Sequence, residues 1–93
     1  MKYNIKPTSA FKKDLRLMEK QHKDLTLINS VIKKLANGEQ LPPENKDHQL
    51  SGALKDYREC HIQPDWIMIY RCFENELILS LTRTGSHSDI LKI

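Results

Sequence analysis

The amino-acid sequence predicts an α+β domain in which an N-terminal helical hairpin packs on one face of an antiparallel sheet. Two segments in the first part of the chain have apolar residues at helical spacing, and three segments in the second part alternate as strands do. Only short turns separate those three segments. The predicted order is β-α-α-β-β-β, and 93 residues suit a single domain over 1–93.

A short strand and two helices are predicted in the N-terminal part. Residues 1–6 alternate between apolar and polar side chains until Pro7 ends the run. Ser9 is expected to cap the first helix and Asp24 the second, which ends near Gly38. The apolar positions at helical spacing are Phe11, Leu15 and Met18 in the first helix and Leu25, Ile28, Ile32 and Leu35 in the second.

Three strands are predicted in the second half, over Lys55–Ile62, Trp66–Phe73 and Glu76–Arg83. Their connections are short enough for hairpins, so we expect an antiparallel meander. A short turn of helix is expected at the C-terminus, over Ser88–Leu91. Residues 39–54 show no regular period, and a loop of this length in a small domain indicates a functional role.

The composition favours a cytoplasmic protein that does not enter a membrane. The chain is 39% apolar and 29% charged, and its longest apolar run, Trp66–Tyr70, is far shorter than a membrane-spanning helix. The N-terminus does not lead into a signal-peptide pattern. Cys60 and Cys72 are too few for a disulfide scaffold, so we expect two buried thiols in a reducing compartment.

The positive charge is concentrated at the beginning of the chain. Residues 1–34 hold nine Lys and Arg against three Asp and Glu, whereas residues 35–93 hold six against nine. Such an excess indicates an anionic partner such as nucleic acid, although a solvated helix face is the alternative. The basic residues expected to face away from the core of the first helix are Lys12, Lys13, Arg16 and Lys20.

Three histidines are expected at one end of the sheet. Strand alternation places Glu59 and His61 together on the face that the helices leave open. His48 lies in the irregular segment, and His87 follows the last strand. An imidazole can accept or donate a proton near neutral pH, so such a group suits acid–base chemistry on a phosphodiester. A polar surface contact without function is the alternative.

Asp65, Trp66 and Arg83 are expected near the histidines. The guanidinium of Arg83 is suited to the charge on a phosphoryl group in a transition state. Trp66, the single tryptophan, is either a core residue or a platform for base stacking. The histidines lack the helical spacing of a typical metal motif, so metal binding is not predicted.

Three sequence motifs resemble one family of bacterial toxins. KDHQL (Lys46 to Leu50), YRECHIQPDWIMIY (Tyr57 to Tyr70) and RTGSH (Arg83 to His87) resemble the YafQ branch of the RelE-type toxins in order and spacing. The resemblance covers the whole chain. It implies the toxin of a type II toxin–antitoxin system, an endoribonuclease that cuts messenger RNA on the ribosome without metal or cofactor. It also implies a cognate antitoxin of the DinJ/RelB type as partner.

The resemblance also implies roles for individual residues. It implies His87 as general acid, His48 or His61 as general base and Asp65 as a residue that orients or shares the role of the base. Arg83 corresponds to an arginine that stabilises the phosphate. Supporting positions are Lys46, Glu59, Trp66 and Leu91. The basic helix face would contact ribosomal RNA through phosphates.

Two other functions remain open from the sequence. A non-catalytic module that binds RNA or a protein partner would need Lys12, Lys13 and Arg16 but not the histidines. A metal-dependent nuclease would lose its activity to a chelator.

Overall fold

The helices and strands follow the predicted order, with one short additional strand in the segment for which no regular element was predicted. The structure is a computed structural model, and it describes residues 1–90. The strands are β1 (Asn4–Pro7), β2 (His48–Gln49), β3 (Arg58–Gln63), β4 (Trp66–Phe73) and β5 (Ile78–Ser86), and the helices are α1 (Ser9–Lys20), α2 (Leu25–Ala36) and α3 (His87–Ile90). Within these residues no helix has the length and apolar character needed to cross a membrane.

The sheet is mixed, with strand order β1-β5-β4-β3-β2. Strands β3, β4 and β5 form the predicted antiparallel meander. Strand β1 runs parallel to β5, with Ile5 opposite Leu79, and this pairing differs from the antiparallel sheet that the sequence predicted. Parallel neighbours require a long connection between them, which here contains the helices and the other three strands.

Hydrogen-bonded caps fix the start of both long helices. Thr8, rather than the predicted Ser9, caps α1, because its Oγ1 accepts the N–H of Phe11 at 3.0 Å. Asp24 caps α2 as predicted, since its Oδ1 accepts the N–H of Thr26 at 3.0 Å. The helical hairpin therefore begins and turns at residues whose side chains satisfy free N–H groups.

The main core lies between the helices and one face of the sheet. Its members include Phe11 and Met18 of α1, Ile28 and Leu35 of α2, and Trp66, Met68 and Tyr70 of β4. Trp66 is 1% exposed, and its Nε1 donates a hydrogen bond to Thr84 Oγ1 at 2.9 Å. Of the two roles considered for Trp66, the structure shows the core residue, so its ring is not available for base stacking.

A smaller apolar cluster covers part of the opposite face. It consists of the buried Ile67, Ile69 and Ile90, with Leu50 and Tyr57 packed against them. Helix α3 can approach β5 closely because Gly85 has no side chain; a Cβ there would lie 2.9 Å from Ile90 Cδ1. The face that we expected to be open is therefore partly covered by the C-terminal helix.

The two cysteines differ in their surroundings. Cys60 is buried and Cys72 is half-buried, and both are free thiols. Burial raises the pKa of the Cys60 thiol to about 12, so this thiol stays protonated near neutral pH. The prediction of a buried thiol is confirmed for Cys60, whereas Cys72 is only partly covered.

Candidate active site

His48 reaches the sheet through the short strand β2. This strand lies in the segment that showed no period, and it pairs with β3 so that His48 is opposite Glu59. The Nδ1 atom of His48 lies 2.7 Å from the carbonyl oxygen of Lys46, a residue in the left-handed region at φ 47°. Because a carbonyl can only accept, we assign the proton to Nδ1, which leaves Nε2 as the basic nitrogen.

Three imidazoles surround one buried carboxylate. Glu59 is 2% exposed, and its Oε1 lies 3.3 Å from Nε2 of His61, 3.8 Å from Nε2 of His87 and 3.9 Å from Nε2 of His48. The sequence placed these four residues at one end of the sheet, and the structure brings them into one cluster. Glu59 lies on the predicted face of the sheet, opposite Ile69 of the smaller apolar cluster, and it is buried there although that face was expected to be open.

His61 is the least exposed of the three imidazoles. Its Nδ1 is 3.1 Å from the carbonyl oxygen of Pro64, so the proton is assigned to Nδ1 and Nε2 faces Glu59. Its ring stacks on that of His87, with centroids 6.2 Å apart. The side chain of His61 is 18% exposed, against 51% for both His48 and His87. The two histidines accessible to a substrate are therefore those on the outside of the cluster.

Asp65 is tied to His87 through the backbone. It lies in the exposed turn between β3 and β4, and its carbonyl oxygen accepts the N–H of His87 at 3.3 Å. The packing of Ile90 near Gly85 holds the rest of α3 on the sheet. The structure therefore places Asp65 beside the first residue of α3, at the edge of the cluster.

Arg83 is bound by a carboxylate that the sequence analysis did not single out. Its Nε donates to Asp14 Oδ2 at 2.6 Å and its Nη2 to Asp14 Oδ1 at 3.1 Å. Asp14 Oδ2 also accepts the N–H of Thr84 at 3.2 Å. These hydrogen bonds raise the pKa of the Arg83 guanidinium above its usual range. The indication of this contact in the sequence was an acidic residue, Asp14, among the basic residues of the first helix.

The basic face of α1 continues to Arg83. A groove of about 470 Å³ is lined by Lys13, Asp14, Arg16, Leu17, Lys20 and Arg83. Lys12 lies on a neighbouring hollow of α1, beside Leu15 and Arg16. All four predicted docking cations are exposed. The helix therefore presents a positively charged surface that leads to the arginine at the end of the sheet.

A second hydrogen-bonded carboxylate, also missed in the sequence, anchors the segment that carries His48. Asp47 Oδ1 accepts a hydrogen bond from the Tyr70 hydroxyl at 2.6 Å and one from Arg58 Nε at 3.3 Å. Burial raises the pKa of the Tyr70 phenol well above its usual range, and the hydrogen bond to Asp47 adds to this effect. The phenol therefore remains a donor, and it ties the residue before His48 to the sheet.

Replacing Tyr70 with phenylalanine is expected to loosen this anchor. The substitution removes one hydroxyl and should lower the free energy of unfolding by about 1 kcal/mol. If the anchor positions His48, the RNA cleavage that the family resemblance implies should fall about tenfold, because small displacements of catalytic groups are costly. Urea unfolding and a cleavage assay measure the two effects.

The matched control for this substitution is Tyr3→Phe. The Tyr3 hydroxyl also donates to a carboxylate, Glu74 Oε1 at 2.8 Å, on an element that carries no residue of the cluster. Equal loss of cleavage in both variants would contradict a specific role for the anchor.

Two remaining expectations concern Leu91 and metal binding. Leu91, predicted as a supporting residue and as the end of the C-terminal helix, lies outside the described residues. Within residues 1–90, no group of three or more His, Cys, Asp or Glu side chains has the arrangement of a metal site.

The fold is that of a class of small bacterial toxins, as two solved structures show. The crystal structure of the Escherichia coli DinJ–YafQ toxin–antitoxin complex superposes with a TM-score of 0.86 and 35% identity, over 97% of this chain and 98% of that one. A metal-bound toxin from Helicobacter pylori superposes with a TM-score of 0.89 and 42% identity, over 95% and 98% of the two chains.

The sequence comparisons identify the family within this class. The mRNA interferase toxin YafQ of Escherichia coli K12 is 37% identical over 86 residues, which is 91% of each chain. The family model described as the bacterial toxin of type II toxin–antitoxin system, YafQ, matches residues 3–92. The chain belongs to the YafQ family of type II toxins.

Proposed function

We propose that this protein is an mRNA interferase, an endoribonuclease that cuts messenger RNA on the ribosome and so inhibits translation. The observation that carries the proposal is the group of three imidazoles around the buried carboxylate of Glu59. The family supports the same activity, since the Escherichia coli relative is named an mRNA interferase toxin. The site of action would be the cytoplasm, where translation takes place.

The proposed reaction uses the two exposed histidines as base and acid. Nε2 of His48 removes the proton from a ribose 2′-hydroxyl, and the resulting oxygen attacks the adjacent phosphorus. The bond from phosphorus to the 5′-oxygen breaks, and His87 protonates that leaving oxygen. The products are a 2′,3′-cyclic phosphate and a free 5′-hydroxyl. His48 is the better candidate for the base than His61, because its side chain is more exposed.

Glu59, His61 and Asp65 would support these two histidines. The carboxylate of Glu59 attracts the positive charge that appears on an imidazole when it takes up a proton. His61 stacks on the ring of His87. Asp65 would help to orient His87, because the carbonyl oxygen of Asp65 accepts a hydrogen bond from the backbone N–H of His87.

Arg83 would stabilise the charge on the phosphoryl oxygens. Its hydrogen bonds to Asp14 use Nε and Nη2 and leave other N–H groups for a phosphate. The basic face of α1, the helix that carries Asp14, would contact the phosphates of ribosomal RNA through Lys12, Lys13, Arg16 and Lys20. Such contacts give an affinity that falls as the salt concentration rises.

The proposed partner that silences the toxin is a cognate antitoxin of the DinJ/RelB type. The support is the Escherichia coli relative, whose crystal structure is that of a DinJ–YafQ toxin–antitoxin complex. Co-purification with the product of a neighbouring short reading frame would test this partner directly.

The cleavage is proposed to need neither metal nor cofactor, because imidazoles and an arginine suffice for the proton transfers and for charge stabilisation. The Helicobacter pylori relative is described as metal-bound, so this part needs its own test. A chelator that binds transition metals but spares Mg²⁺ keeps ribosomes intact. Cleavage at an unchanged rate in its presence is the expected result, and complete loss that added metal restores would favour a metal-dependent nuclease.

The function is tested by incubating the purified protein with one message in two states. The message is either translated by ribosomes or free in solution, and primer extension locates the cuts. Cuts only in the translated message, with 2′,3′-cyclic phosphate ends, are expected. Binding to ribosomes without any cut would instead identify a non-catalytic RNA-binding module.

A further inference from the structure

One arginine on the catalytic face of the sheet is held by aromatic rings instead of a carboxylate. The guanidinium carbon of Arg71, in β4, lies 4.4 Å from the ring centroid of Phe73 and 5.7 Å from that of Tyr57. Side chains alternate along a strand, so Arg71 points to the same face as Ile69 and therefore to the face of the histidine cluster.

The contacts of Arg71 differ from those of the other arginines in strands β3 to β5. Arg58 and Arg83 donate their N–H groups to Asp47 and Asp14, respectively. Within residues 1–90, Arg71 has no ion pair among those recorded. An aromatic ring contacts the face of a guanidinium and leaves the N–H groups at its edge free. Among residues 1–90, Arg71 is thus a positioned cation whose guanidinium N–H groups have no hydrogen-bond partner.

Arg71 lies along β4 from the histidine cluster. His61 is opposite Ile67 in the sheet, and Arg71 follows four positions along β4, a distance of about 13 Å. An extended RNA strand that crosses the histidines and continues along β4 would bring a phosphate beyond the cleaved nucleotide to the guanidinium. Arginine binds phosphate through two parallel hydrogen bonds, which the free edge of Arg71 can donate.

We propose that Arg71, held by Tyr57 and Phe73, is a binding subsite for a backbone phosphate of single-stranded RNA beyond the cleaved nucleotide. The inference rests on the proposed function, because that function supplies the RNA strand at the histidine cluster. It adds a contact on the sheet itself, separate from the basic face of α1.

The test measures binding without cleavage. A fluorescent single-stranded oligoribonucleotide with 2′-O-methyl groups cannot be cut, and anisotropy gives its dissociation constant at several salt concentrations. Arg71→Ala is expected to weaken binding about tenfold. It should also reduce the slope of log K against log salt concentration by about 0.7, which is the contribution of one phosphate contact on a single strand. Phe73→Leu keeps an apolar side chain but removes the ring, and should weaken binding less.

The matched control is Lys33→Ala, which removes the same charge from an exposed position of α2 on the other side of the sheet. Equal dissociation constants and salt slopes for Arg71→Ala and Lys33→Ala would overturn the subsite, as would weaker binding with an unchanged slope. Loss of antitoxin binding with normal RNA binding would also overturn it. If the wild-type protein binds the oligonucleotide in this way but never cuts a translated message, the proposed function fails and the subsite stands.

Discussion

His87→Ala is expected to reduce cleavage of a translated message by on the order of 10²–10⁴-fold, the usual contribution of a general acid. The alanine cannot protonate the 5′-oxygen, so this oxygen would have to leave as an unprotonated alkoxide. Because the His87 side chain is 51% exposed, its removal should leave the fold intact. Circular dichroism and thermal unfolding check the fold, and single-turnover cleavage on ribosomes gives the rate.

The control for this variant is another exposed histidine. His22 lies in the turn between α1 and α2 at φ 62°, and His22→Asn keeps a residue that tolerates the left-handed conformation. Its cleavage rate should equal that of the wild type. Residues that act as a unit are not additive, so replacing His61 in the His87→Ala background should add little. Growth inhibition by the His87→Ala protein as strong as by the wild type would remove His87 from the mechanism.

Glu59→Gln is expected to lower the cleavage rate by on the order of 10²-fold while keeping the shape of the side chain. Glutamine cannot supply a negative charge, so the protonated imidazoles that form during the reaction lose their nearest counter-charge. The loss should fall on kcat, because Glu59 is 2% exposed and does not reach the substrate. Steady-state cleavage on ribosomes separates kcat from KM.

The comparison for Glu59→Gln is Glu76→Gln, the same change at an exposed position in the turn before β5. Unfolding in urea shows whether either change alters stability. A Glu59→Gln protein that cleaves as fast as the Glu76→Gln protein would show that the buried charge takes no part in the reaction.

The motifs and alternating patterns predicted most of this site. We expected His48, His61 and His87 at one end of the sheet, because strand alternation and the order of the motifs can be read directly from the sequence. The structure places all three imidazoles around the carboxylate of Glu59. The burial of Glu59 was not predictable in the same way. One of the imidazoles around Glu59 belongs to His87 of α3, and this helix can approach β5 closely because Gly85 has no side chain.

The carboxylates that hold the site together were also beyond the sequence patterns. Asp14 binds Arg83, which lies 69 positions away in the chain, and Asp47 binds Tyr70, 23 positions away. No periodicity links such positions, because the partner of a carboxylate is decided when helix and sheet pack. In the sequence, Asp14 is one of two acidic residues in a basic helix, and Tyr70 occupies one of several apolar positions in a strand.

The protons of two histidines are assigned by main-chain atoms. Nδ1 of His48 faces the carbonyl of Lys46, and Nδ1 of His61 faces the carbonyl of Pro64. Every amino acid carries that carbonyl, so a different residue at position 46 or 64 would give the same tautomer as long as the turn keeps its shape. The tautomers therefore depend on the path of the backbone, and at position 46 the left-handed φ of 47° limits which residues can hold that path.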